Sequence, residues 1–134
     1  SKPRAMKRNE SGKPWTDVPT LDRSVLEELR EYSSEEQDLA EELIDLFLED
    51  SPKQLIALQR ALRDTDRGEV EKRSHRLKGS AGSVGAARLR SICEALESAA
   101  REGADPIAAA TGADVATELD ALRVALSSFP KRAS

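Results

Sequence analysis

The 134-residue chain has few of the residue types that carry chemistry on their own. A single cysteine, Cys93, excludes an internal disulfide framework and a cysteine-built zinc site. A single histidine, His75, excludes paired-histidine metal sites. Aromatics make up only 3% of the chain (Trp15, Tyr32, Phe47 and Phe129), too few for a platform on which single-stranded nucleic acid could stack. No apolar run approaches the ~18 residues of a membrane span. Residues 1–20 also lack the apolar centre of a secretion signal. The expectation is a soluble cytoplasmic protein with no direct membrane insertion.

What is present is charge, at 34% of residues, beside 38% hydrophobic residues, enough for the core of one domain. The net charge of −4 is unevenly spread. Residues 1–20 carry a net +3 and residues 63–90 a net +4, which leaves the other segments strongly acidic. A basic zone on an acidic chain points to an anionic ligand or an acidic partner at that zone. A nucleic-acid binder would be basic throughout, so a nucleic-acid-binding helix over 63–90 is a remote reading.

Residues 1–19, with Pro3, Gly12, Pro14 and Pro19 and little apolar patterning, read as a linker or tail, as do residues 129–134. A start on Ser rather than Met is what a fragment of a larger protein would show. Between the tails every signal is helical. Thr20 or Asp22 caps a short helix ending near Tyr32. Ser33 or Ser34 caps a longer one, with Glu35 and Glu36 in its first turn. Its apolar positions, among them Leu39, Leu43, Ile44, Leu46, Phe47, Leu55, Leu58 and Leu62, keep phase across Pro52, so one kinked helix is expected. A third helix runs from about Gly68 to Val84, with Gly85 as its left-handed stop. A fourth covers about 86–102 with Leu89, Ile92, Cys93, Leu96 and Ala99 inward. A last one covers about 106–128 with Val115, Leu119, Leu122 and Leu126 inward, less secure at Gly112. The fold class is all-α: an antiparallel up-down-up-down four-helix bundle over residues 20–128 with a short additional N-terminal helix.

The helix over 68–84 is the informative one. At ~100° per residue, Val70, Ser74, Leu77, Ala81 and Val84 form one buried stripe. His75, Lys78, Gly79 and Gly82 share a second face about 130° away. Each glycine within a helix costs ~0.5–1 kcal/mol relative to alanine. Two of them beside an exposed histidine leave room for another molecule to approach the ring. A triad would need a nucleophile and an orienting acid in a pocket, and zinc would need further ligands. A lone neutral imidazole can instead accept a phosphoryl group in line, with Lys78 one turn away to meet its oxygens. Any Mg²⁺ would come with the partner, because this helix face carries no carboxylate cluster. Arg73, Arg76, Arg88 and Arg90 read as a solvated charged face that at most steers an acidic partner. Cys93 reads as a small buried hydrophobe, and nothing accounts for Trp15 in the tail.

The run His75-Arg76-Leu77-Lys78-Gly79-Ser80-Ala81-Gly82-Ser83-Val84-Gly85 resembles the signature of histidine-containing phosphotransfer (HPt) domains, as do Leu46-Phe47-Leu48 and Leu96-Glu97 on its flanks. The resemblance covers residues 20–128. It implies that His75 is the phosphoacceptor through Nε2, that Lys78 favours the phosphoryl charge, and that Gly79 lets the partner approach. Lys72, Arg76 and Gly82 are further candidates for partner contact. The implied partner is the receiver domain of a response regulator, which exchanges an aspartyl phosphate with the histidine. The implied protein has no kinase activity and needs no cofactor, Mg²⁺ belonging to the receiver. It is monomeric as an isolated domain and stands alone or closes a hybrid sensor histidine kinase, which would tether it to the membrane. The rival reading is a bundle that docks a receiver without chemistry.

Overall fold

Aspartates at 22, 38 and 66 and a threonine at 111 open four of the six described helices of the computed structural model, which describes residues 13–132. Each places a side-chain oxygen on backbone N–H groups that the first turn leaves without partners. Among the described residues the order is α1 (Arg23–Glu31), α2 (Leu39–Arg63), α3 (Arg67–Val84), α4 (Ala87–Glu102), the single turn α5 (Pro106–Ala109) and α6 (Gly112–Ser127), with no strand. The long helices α2, α3, α4 and α6 form the antiparallel bundle. The short α1 packs across α2 and α3. None of the described helices is long and apolar enough to cross a membrane.

The stripe expected on α3 is the buried set observed: Val70, Ser74, Leu77, Ala81 and Val84. Gly85 ends this helix at φ +79°, and Gly103 ends α4 at φ +80°, a region that disfavours any side chain. At Gly85 the crowding is tertiary as well. A Cβ there would run into the carbonyl oxygen of Asp22, whose own N–H donates to the Gly85 carbonyl at 2.7 Å. The stop of α3 therefore also anchors the start of α1.

Two boundaries and one core assignment differ from expectation. The cap of α2 is Asp38, not Ser33 or Ser34, so Glu35 and Glu36 precede the helix and Glu41 and Glu42 occupy its first turn. The Asp38 carboxylate accepts from Ala40 N and Glu41 N and pairs with Arg30 at 3.0 Å, more than a serine hydroxyl can hold at once. The helix expected over 106–128 is broken at 110–111. There Thr111 and Asp114 satisfy each other's backbone N–H in a capping box, which starts α6 afresh. Within α2, which does continue through Pro52, Leu46 faces solvent at 60% exposure rather than the core.

The assigned tails pack on the bundle wherever they are described. Trp15 is buried within the core cluster. Its segment is held by Arg88, which donates from Nε to Val18 O (2.6 Å) and from Nη2 to Thr16 O (3.2 Å). Arg88 therefore serves this junction rather than a solvated face. Its second partner is Glu118, 3.7 Å away and buried, and burial pushes that carboxyl above its ordinary range. At the other end Phe129 is buried with the Arg30 guanidinium 4.8 Å from its ring centre, and Arg30 donates to Pro130 O at 2.7 Å. Residues 1–12 and 133–134 lie outside the described residues. Cys93 is buried as expected, and that burial pushes its thiol up to about 12, out of reach of thiolate chemistry at neutral pH.

Trp15→Ala should lower unfolding free energy by about 3–5 kcal/mol, the cost of emptying a buried aromatic site. Urea titration measures this, and a midpoint unchanged from wild type would mean that the segment contributes nothing to the core.

Candidate functional site

Helix α3 presents His75 near its middle, and the periodicity that buries Ser74 and Leu77 turns the imidazole outward, 69% exposed. Helix α4 runs back alongside α3 after the tight turn at Gly85–Ala86, and this antiparallel hairpin brings a second set of residues to the ring. Glu97 is chief among them. Its side chain is 4% exposed, and its Oε2 lies 2.8 Å from His75 Nδ1. The same oxygen accepts from Arg101 Nη2 at 2.7 Å, and Lys78 Nζ lies 2.6 Å from Oε1. One buried carboxylate thus serves an imidazole, an ammonium and a guanidinium.

This network sets protonation. Burial pushes the Glu97 carboxyl up. The close ammonium of Lys78 and the hydrogen bond from His75, with the charge they bring, outweigh burial and hold it below the ordinary carboxylate range. An ionised carboxylate offers only acceptors, so the hydrogen on the shared line belongs to His75 Nδ1, and in the neutral ring the lone pair is then on Nε2. Nε2 is the nitrogen free to act as a nucleophile.

Lys78 is doubly held. Besides Glu97 it pairs with Glu94 Oε1 at 2.9 Å, and these carboxylates raise its ammonium above the usual lysine range. Glu94 in turn accepts from Ser98 Oγ at 3.1 Å. Arg101 also reaches Glu71 at 3.2 Å, tying α4 back to α3 beside the histidine.

The two glycines differ. Gly79 is exposed, and a Cβ added there would meet nothing within 4 Å, so the fold itself makes no use of the missing side chain. At Gly82 a Cβ would touch the Arg90 side chain at 3.5 Å, an ordinary contact on the α3–α4 seam. An open groove is lined by Gly68, Glu71, Lys72, His75, Arg76, Gly79 and Glu97. It gathers the expected residues Lys72, His75, Arg76 and Gly79. Lys78 lies beside it through Glu97, and Gly82 is not part of it.

The helix wheel of α3 found His75, Lys78 and Gly79 but was silent on Glu94 and Arg101, and it gave Glu97 no role. A signal for them existed. Glu94, Glu97 and Arg101 follow a +3, +4 spacing on α4, and Glu71 sits one turn before His75 on α3. A wheel drawn for both arms of the hairpin would have set acids against His75 and Lys78. The expectation that this helix face carries no carboxylate cluster took no account of the hairpin: α4 brings Glu97 to the ring and Glu94 to Lys78, and Glu71 of α3 lines the same groove. They are engaged by cations, and among the described residues no group of three or more histidine, cysteine or acidic side chains is arranged to hold a metal.

Because the Glu97 carboxyl lies below its ordinary 4.5 when folded, the stability it contributes is fully present above that pH and is lost as pH falls through the lower, folded value. Wild type should therefore exceed Glu97→Gln in urea midpoint at pH 7, and the two should converge in acid below about 4.5. A gap that stays constant down to the acid limit would contradict the ionised carboxylate.

The model of the Hpt domain family matches residues 42–125, more than half of the chain. Histidine-containing phosphotransfer protein 2 of Arabidopsis thaliana is 41% identical over 59 residues, covering 42% of this chain and 38% of the relative. The chain thus matches well under half of that relative's length. The crystal structure of histidine-containing phosphotransfer protein B (HptB) from Pseudomonas aeruginosa PAO1 superposes with a TM-score of 0.69 at 29% identity, covering 82% of this chain and 93% of that one. A helical bundle with one exposed histidine on its third helix, and a family match that runs through that helix and both its neighbours, lead to one conclusion: the chain belongs to the Hpt domain family.

Proposed function

We propose that the protein is a phosphorelay intermediate in which His75 accepts a phosphoryl group from the aspartyl phosphate of a response-regulator receiver domain and returns it to another. The observation that carries this reading is the tethered imidazole. Nδ1 is tied to Glu97 at 2.8 Å, while Nε2 lies on a ring 69% exposed, with backbone bare of a side chain at Gly79 one turn away. The exposed residues Lys72 and Arg76 border the same groove and favour an acidic docking surface.

In the forward step the Nε2 lone pair attacks phosphorus in line. The P–N bond forms as the P–O bond of the acyl phosphate breaks, and the aspartate leaves as carboxylate with the bonding pair. The ring gains positive charge, and the Nδ1 proton stays on the hydrogen bond to Glu97, whose negative charge stabilises the phosphorylated imidazolium. Such transfer depends on positioning and electrostatics more than on covalent help, so a surface without a deep pocket suffices. Lys78 supplies the cation for the phosphoryl oxygens. Any Mg²⁺ is carried by the receiver, and this chain's carboxylates at the site are already paired. The module acts as a monomer and works in the cytoplasm.

Incubation with a phosphorylated receiver should label the wild type and not His75→Gln, and the label should be lost in acid and survive base, as a phosphoramidate does. No labelling under conditions where another HPt protein is labelled would overturn the reading. Gly79 separates approach from folding. Gly79→Leu should stabilise the bundle by about 0.5–1 kcal/mol through helix propensity, because a Cβ there meets nothing within 4 Å. It should nevertheless slow transfer from the receiver tenfold or more, on the order of a ~1.4 kcal/mol steric penalty. Stopped transfer assays together with urea titration measure both signs.

A further inference from the structure

Lys78 is committed before any phosphoryl group arrives. Its ammonium lies 2.6 Å from Glu97 and 2.9 Å from Glu94. The two carboxylates are not equivalent. Glu97 is 4% exposed and is fixed from two further directions by His75 and Arg101. Glu94 is 55% exposed, and besides Lys78 its side chain is held by the Ser98 hydroxyl, on its own helix. Of the two ion pairs, the solvent-exposed one is the weaker and opens first. Glu94 makes no contact with His75, so the transfer described above does not require it.

We infer that Glu94 is a resting-state counterion which competes with the phosphoryl group for Lys78 and so sets the lifetime of the phosphorylated His75. It is a positioning residue, acting through Lys78 and not on the reacting atoms. The inference rests on His75 being the phosphoacceptor. A phosphoryl group on Nε2 brings close to two negative charges to the face where Lys78 stands, and Lys78 lies one helical turn along from His75. Two of the three ammonium hydrogens are taken up by Glu97 and Glu94, so a phosphoryl oxygen competes for this cation chiefly with Glu94, the more exposed and more easily displaced partner. Each favourable contact of Lys78 with the phosphoryl group is therefore discounted by the pair it gives up.

The consequence for lifetime follows from the hydrolytic step. A water oxygen bonds to phosphorus as the P–Nε2 bond breaks. The electron pair returns to the ring, a water proton is released, and orthophosphate leaves. A cation paired with the phosphoryl oxygens of the resting phosphohistidine stabilises that ground state, and stabilisation of the ground state beyond that of the transition state slows the loss of the group. Freeing Lys78 from Glu94 lengthens the life of the phosphohistidine, and removing Lys78 shortens it. The hydrogen bond and charge of Lys78 already hold the Glu94 carboxyl below its ordinary range, as a competing pair requires.

The test labels the full 134-residue chain with potassium phosphoramidate, removes the reagent, and follows the phosphohistidine signal by ³¹P NMR at low salt. Glu94→Gln and Glu94→Ala should each extend the half-life about two- to fivefold, the range expected for one exposed ion pair. Lys78→Met should shorten it. In the Lys78→Met background, Glu94→Gln should have no effect. An unchanged or shortened half-life in both Glu94 variants would overturn the inference. So would an equal lengthening with and without Lys78, which would reduce Glu94 to a distant charge acting directly on the phosphoryl group. Failure of the wild type to take any label at His75, from phosphoramidate or from a receiver, is a different failure. It would remove the phosphoacceptor reading and this inference with it.

Discussion

A single buried carboxylate holds the functional face together. Glu97 sits at 4% exposure between α3 and α4, and such a group is costly unless it is paired and hydrogen-bonded. Here it is paired three times over, with His75 Nδ1, Lys78 Nζ and Arg101 Nη2. The arrangement is structural and chemical at once. It pins the hairpin of α3 and α4 and makes Nδ1 the hydrogen-bearing nitrogen of an imidazole that is itself largely exposed. Burial keeps water from loosening it, and the cations keep the burial from neutralising it.

Around that anchor the molecule divides rigidity from openness within a few residues. Ser74 and Leu77 on either side of the histidine are fully buried, which holds the ring's backbone in place. Gly79, one turn on, contributes nothing to packing and reduces helix stability. Gly82, a turn later, lies on the seam against Arg90. Two glycines that look alike on a wheel thus have different surroundings, one open and one within ordinary contact of a side chain on the neighbouring helix.

The ends of the domain rest on the same economy of contacts. Trp15 and Phe129 come from segments whose composition suggests tails, yet each fills a place that the bundle leaves open at its rim. Both are secured by arginines bonding to backbone carbonyls, Arg88 on the N-terminal side and Arg30 on the C-terminal side. Such contacts join residues 70 or more positions apart in the chain, and no local pattern announces them.

Local periodicity by itself determined a good deal of this protein. The apolar stripe of α3, the outward histidine with its lysine and glycine, the left-handed stop at Gly85 and the all-helical bundle all follow from spacing and from backbone rules that act within a few residues. Caps were less legible, because several oxygens compete for one set of N–H groups. Asp38 prevailed over Ser33 and Ser34 by also binding Arg30, and Thr111 cut a helix that propensity alone would have continued. Only the tertiary structure decided that Glu97 and Glu94 meet His75 and Lys78. Each acid is unremarkable on its own helix, and becomes part of the site because two antiparallel helices share one seam, where short distances, and burial at Glu97, turn scattered charges into a coupled set.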